Sequence, residues 1–110
     1  METNEVIFEK IQSFIDQNKV FLFMKGTPDQ PQCGFSAQVV AILREYTDSF
    51  NSANVLEDWD LREGIKEFSS WPTIPQLYID GKFIGGCDII MELHRKGEFA
   101  EVLSSVETNC

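Results

Sequence analysis

Residues 76–84 spell out a β-hairpin. Gln76-Leu77-Tyr78-Ile79 and Lys82-Phe83-Ile84 flank Asp80-Gly81, a dipeptide that supplies the positive φ angles a tight two-residue turn requires. A chain with that element must build a sheet around it. Val20-Phe21-Leu22-Phe23-Met24 has the length and aromatic content of a further, buried strand. Between and around these strands the apolar residues recur at helical spacing: Val6, Ile7, Ile11, Phe14 and Ile15 first, then Val39, Val40, Ile42, Leu43 and Tyr46 after a start at Ser36-Ala37-Gln38. Asp60 is placed to cap a short helix with Leu61, Ile65 and Phe68 on its inner face. Ile89, Ile90 and Leu93, then Phe99, Val102 and Leu103, predict two closing helices. The segment 51–56 must be extended to return the chain to the sheet, although only Val55 and Leu56 are strand-like residues. The resulting order, α, β, α, β, α, β-hairpin, α, α, predicts an α/β fold: a small four-stranded mixed sheet with helices on both faces.

At 110 residues the chain has room for one domain, expected to span 1–110 with a loose tail over about 106–110. No apolar stretch approaches the roughly 18 residues a bilayer span needs. A formal charge of −9 argues against nucleic-acid or anionic-membrane partners. Three cysteines, Cys33, Cys87 and Cys110, make an odd count without paired spacing, which favours a reducing compartment over a disulfide framework. A zinc site using them with His94 lacks ligand spacing, and His94 is expected on the wet face of its helix.

Cys33 carries the chemistry. It precedes a predicted helix start and follows the polar, proline-containing stretch Pro28-Asp29-Gln30-Pro31-Gln32, so its sulfur faces solvent at a helix N-terminus. The helix dipole and Lys25, at the end of the adjacent strand, would both favour a thiolate. Three places on stands Ser36, not a second cysteine. A lone thiolate must borrow its second sulfur from solution or from another protein molecule, which points to glutathione, dimerisation, or both.

Five ordered segments carry a resemblance across residues 5–105. Met24-Lys25-Gly26-Thr27-Pro28, Cys33-Gly34-Phe35-Ser36, Leu61 to Phe68, Trp71-Pro72-Thr73-Ile74-Pro75-Gln76-Leu77-Tyr78 and Gly85-Gly86-Cys87-Asp88 resemble the monothiol glutaredoxins of the Cys-Gly-Phe-Ser class. That resemblance implies a thioredoxin-like fold, a cis Pro75, a glutathione site, and a [2Fe-2S] cluster shared by a dimer. Glutathione has two carboxylates, an ammonium and a thiol, so an acidic protein must bind it with local cations, and Lys25, Arg62 and Lys66 are the candidates. Arginine suits the glycyl carboxylate through its planar fork. The alternative for Arg62 and Lys66 is a solvated helix face paired with Glu63 and Glu67. Thr73, Ile74 and Pro75 are expected to present backbone to the cysteinyl unit as an added strand does. Gly86 would allow close approach, Cys87 would wall the pocket, and Asp88 would accept the γ-glutamyl ammonium or cap the helix at Ile89. Such a cluster takes four thiolates, which two Cys33 and two glutathione sulfurs supply. Cys87 is the rival ligand, and on oxidation a disulfide partner for Cys33.

The expected function is therefore an iron-sulfur carrier in cluster assembly and iron homeostasis. It would be a glutathione-bridged homodimer when loaded and a monomer when apo, served by donor and acceptor proteins. The alternatives are a one-cysteine, glutathione-dependent thiol-disulfide oxidoreductase, an activity expected to be weak at most, and an iron-sensing binding module. The stretch from Asn54 to Lys66 resembles the mitochondrial single-domain branch, with Trp59 departing from it. Met1 to Glu5 is acidic and lacks arginine, so the expectation is the mitochondrial matrix with the presequence absent from this chain, or else the cytoplasm.

Overall fold

Five consecutive buried residues, Val20–Met24, form the central strand β1 of the computed structural model, which describes residues 4–108. Alternation sends Val20, Leu22 and Met24 to one face of the sheet, and Phe21 and Phe23 to the other. Both faces are covered, which is why the run shows no polar residue. Helix α1 (Asn4–Gln17) precedes β1. After it come α2 (Gly34–Tyr46), β2 (Asn51–Asn54), a 3-10 turn (Val55–Glu57), α3 (Trp59–Ser69), β3 (Gln76–Ile79), β4 (Lys82–Gly85), α4 (Cys87–Arg95) and α5 (Phe99–Thr108).

The sheet order is β2-β1-β3-β4, with β2 parallel to β1 and the other pairs antiparallel. This is the four-stranded mixed sheet the sequence predicts. Asp80 and Gly81 close the hairpin at φ 52° and 78°, the left-handed values a type I′ turn uses. Leu22, Met24, Val39, Leu43, Leu77, Ile90 and Phe99 pack the face under α2, α4 and α5. Ile7, Ile11, Ile15, Leu61 and Ile65 pack the opposite face with Phe21 and Phe23. Helix α3 lies so close to α1 that a Cβ at Gly64 would overlap Ile7.

Four expectations change. The second strand uses the polar residues Asn51–Asn54, whereas Val55 and Leu56 turn into the 3-10 segment. The reason is Asn54, whose Oδ1 accepts from the amides of Gly26 at 2.9 Å and Leu56 at 3.0 Å, ending the strand and tying it to the loop after β1. Asp58, not Asp60, caps α3: its Oδ1 accepts from the Leu61 amide at 3.1 Å, and its Oδ2 pairs with Lys10 of α1 at 2.6 Å. Val6 faces solvent, leaving Ile7, Ile11 and Ile15 as the buried stripe of α1. The segment expected as a loose tail is helical through Thr108; Asn109 and Cys110 lie outside the described residues. No described helix is long and apolar enough to cross a membrane.

Candidate functional site

Cys33 stands where β1 has ended and α2 begins. The helix starts at Gly34, two residues before the Ser36 start the sequence predicts, so Cys33 is itself the N-cap residue. Its extended backbone closes no side-chain capping bond, leaving the half-exposed sulfur to the orphan amides of the first turn. The Ser36 amide does most to hold the Cys33 thiol below its ordinary value; partial burial opposes it, and the Phe35 amide and then Lys25 add to it. Lys25 thus acts in the expected direction but behind the backbone. Ser36 is fully buried, and its Oγ accepts from the Lys25 amide at 3.1 Å. The residue that replaces a second cysteine therefore locks the end of β1 to the first turn of α2.

The other wall is the loop 71–75 with its cis Ile74-Pro75 bond. Buried Gln76 holds that loop, its Nε2 donating to the carbonyls of Trp71 and Thr73, each at 3.1 Å. Gly86 packs against the same loop: a Cβ there would stand 3.2 Å from both the Pro75 carbonyl and Trp71 Nε1. Its missing side chain serves the protein's own packing. Gly86 is also the N-cap of α4, which begins at Cys87. Asp88 therefore lies in the first turn and does not cap a helix at Ile89.

Between these walls is a cavity of about 440 Å³, within the range of small-ligand sites. Every residue singled out from sequence lines it: Lys25, Cys33, Arg62, Lys66, Thr73, Ile74, Pro75, Gly86, Cys87 and Asp88. Phe35, Trp71, Pro72 and Ile89 also line it and were not assigned as site residues. Their signal was adjacency, since each neighbours or lies within a motif already singled out. Three cations against the single carboxylate of Asp88 make this lining basic on a chain of charge −9. Lys66 is partly committed, pairing with Glu63 at 3.2 Å as the solvated-face alternative held. Arg62 instead stacks on Trp59, with its Cζ 5.5 Å from the ring centroid.

Cys87 differs from Cys33. It is 8% exposed, its Sγ donates to Gln38 Oε1 at 3.3 Å, and Met91 Sδ lies 3.5 Å away. Burial pushes this thiol up, and the charges of Asp88 and Cys33 push it further. Among the described residues no three or more His, Cys, Asp or Glu side chains are grouped to hold a metal ion. His94 keeps 34% of its side chain exposed, as a wet-face position allows, and also reaches α2: its Nδ1 lies 2.7 Å from Tyr46 Oη and its Nε2 3.5 Å from Glu45.

Residues 20–84 match the glutaredoxin family model. The chain is 53% identical over 103 residues to a probable monothiol glutaredoxin 2 of Rickettsia typhi, covering 94% of this chain and 91% of that one. It is 50% identical over 99 residues to the mitochondrial glutaredoxin-related protein 5 of Danio rerio, covering 89% of this chain but 64% of that protein's length. The solution structure of reduced apo GrxS14 from poplar superposes with a TM-score of 0.80 at 51% identity, over 91% of this chain and 92% of that one. Such identity, kept along nearly the whole chain, exceeds what a shared thioredoxin-like fold requires, and with serine in place of a second cysteine at position 36 the chain belongs to the monothiol branch of the glutaredoxin family.

Proposed function

We propose that this chain, as a single domain over 1–110, carries a [2Fe-2S] cluster between donor and acceptor proteins, using glutathione as a borrowed ligand. The observation that carries the reading is the contrast in one cavity between a half-exposed thiol at a helix start, lowered by the first-turn amides, and a buried thiol that burial raises. A [2Fe-2S] cargo needs four thiolates. One chain offers one, and nothing else in its described side chains is grouped for metal. Two Cys33 thiolates and two glutathione sulfurs complete the count across a homodimer, and loss of the cargo returns it to monomer. The donor set fits such a cargo because Cys33 opens onto a basic cavity large enough for a tripeptide.

In this reading Arg62 takes the glycyl carboxylate, with Lys25 and Lys66 adding positive field. The backbone of Thr73 and Ile74 beside Pro75 pairs with the cysteinyl unit. Gly86, Cys87 and Asp88 form the γ-glutamyl end, where Asp88 accepts the ammonium. The mitochondrial name of a relative at 50% identity supports a mitochondrial matrix location; the cytoplasm is the alternative.

Mass action supplies the test. If half the ligands are diffusible, cluster occupancy depends on both glutathione and protein concentration. Anaerobic gel filtration of loaded protein into glutathione-free buffer should bleach its visible absorbance and shift it from dimer to monomer. Protein that stays coloured with no glutathione detectable by mass analysis would refute the borrowed ligand and promote Cys87.

A second reading draws on the lowered Cys33 pKa, which also suits nucleophilic attack. The Cys33 thiolate would attack the glutathione sulfur of a mixed disulfide, forming a Cys33-glutathione disulfide and releasing the substrate thiol. A second glutathione thiolate would then attack that glutathione sulfur, releasing Cys33 and oxidised glutathione. Rapid turnover of a glutathione mixed disulfide by iron-free protein would favour this enzyme over the carrier.

A further inference from the structure

Trp59 is the first residue of α3 and the most exposed of the large apolar side chains described, at 64%. An exposed indole at a helix start gains little from burial, so its placement needs another reason. Three residues on, Arg62 lies on the same helix face and places its guanidinium over that indole, Cζ to centroid 5.5 Å. This is inside the roughly 6 Å at which a cation is attracted to an aromatic face. Arg62 also lines the cavity, and its Nε is buried with no hydrogen-bond partner.

These facts combine into a positioning device. An arginine side chain has roughly 2 kcal/mol of rotamer entropy to lose when it is fixed. No hydrogen bond at Nε orients the Arg62 plane, so the indole is what orients it among the described contacts. The indole in turn rises from a fixed backbone, because the preceding residue, Asp58, caps α3 and is tied to Lys10 of α1. Rigidity therefore passes from the Asp58 cap to Trp59, from the indole to the guanidinium, and from there to the cavity.

We propose that Trp59 is a positioning residue: its ring holds the Arg62 guanidinium in place to receive the terminal carboxylate of an extended thiol peptide. The inference rests on the reading of Arg62 as the glycyl-carboxylate clamp. It goes beyond that reading by placing a specificity determinant outside the cavity lining. Trp59 preorganises one contact and touches no ligand, so its removal should weaken one part of the ligand and leave the rest unaffected.

The test compares reduced glutathione with glutathione whose glycyl carboxylate is converted to an amide, titrated calorimetrically into the full apo chain. Wild type should prefer the free acid. Trp59→Ala should narrow that preference about threefold, the ratio expected for an exposed cation-π contact, by weakening the acid while leaving the amide unchanged. Trp59→Phe should restore most of the preference, because a phenyl face also attracts a guanidinium. If Trp59→Ala weakens acid and amide equally, or neither, the positioning role is overturned and the Arg62 assignment stands. If wild type fails to distinguish the two ligands, the Arg62 assignment falls, and the inference with it.

Discussion

Two cysteines at two helix starts face one cavity, yet they are tuned in opposite directions. Cys33 caps α2 and has its thiol lowered; Cys87 is the first residue of α4 and has its thiol raised. A helix N-terminus alone therefore does not make a thiolate. The cap position at α2 leaves a half-exposed sulfur facing the amides of Ser36 and Phe35. One position later, at α4, the sulfur is buried against Gln38 and Met91, where desolvation raises the thiol and the charges of Asp88 and Cys33 raise it further. A difference of one residue in helix register, together with burial, separates the lowered thiol from the raised one.

The most severe way to break the contrast is to delete each sulfur in turn. Cys33→Ser should abolish cluster loading, a loss of about 100-fold or more in occupancy at fixed glutathione, because the sulfur assigned as the protein ligand is gone while Cys87 is buried with its thiol raised. Cys87→Ser should keep most of it. Visible absorbance after anaerobic reconstitution reads both, and reversed phenotypes would overturn the ligand assignment.

A finer cut separates backbone from side chain at α2. Phe35→Pro removes one of the amides that lower the Cys33 thiol, at a first-turn position where proline is tolerated, while Phe35→Ala removes only the ring. The proline variant should raise the Cys33 pKa more than the alanine variant does, and more than Lys25→Ala. The sign follows from charge: a thiol with lowered pKa holds more thiolate near neutral pH, so raising the pKa slows alkylation there by several-fold while the plateau at high pH stays fixed. Iodoacetamide rates against pH in a background carrying both Cys87→Ser and Cys110→Ser, which leaves Cys33 as the one thiol, check it. A larger shift from Lys25→Ala than from Phe35→Pro would return the leading role to the lysine.

The smallest effect expected concerns α3, where the Asp58 side chain caps the helix. Asp58→Ala should cost about 1 kcal/mol in urea unfolding, typical of losing an N-cap. Its hydrogen bond with Lys10, followed by the Leu61 amide, holds the Asp58 carboxyl below its ordinary value. A folded pKa that is lowered gives stability present above the unfolded value and lost as pH falls through the folded one. The gap between wild type and Asp58→Ala should thus close in acid, and a gap that persists at low pH would deny the carboxylate its part.

Much of the fold was legible because it depends on local chemistry. The Asp80-Gly81 turn, the apolar β1 run and the Ile7, Ile11, Ile15 stripe specify their conformations within a few residues. β2 ends before Val55 and Leu56, the residues strand propensity favours, because the Asn54 side chain captures the amides of Gly26 and Leu56 and turns the chain there. The cap of α3 is Asp58 rather than Asp60 for a similar reason, since the two look equivalent in sequence until Lys10 approaches from α1. The residues that ordered motifs single out all line one cavity, and residues 20–84 match the family model. His94 shows the limit, because its link to Tyr46 spans 48 positions of sequence.

By itself the sequence determined the element order, the single thiol at the start of α2, and the cations set against a charge of −9, because composition and short-range pattern carry these. Tertiary structure alone decided that Cys87 is buried against Gln38 with its thiol raised, that Asp58 is tied to Lys10, and that His94 meets Tyr46. The reason is physical. Desolvation and electrostatic fields depend on what distant segments bring within a few ångströms, and no window of neighbouring residues contains that distance.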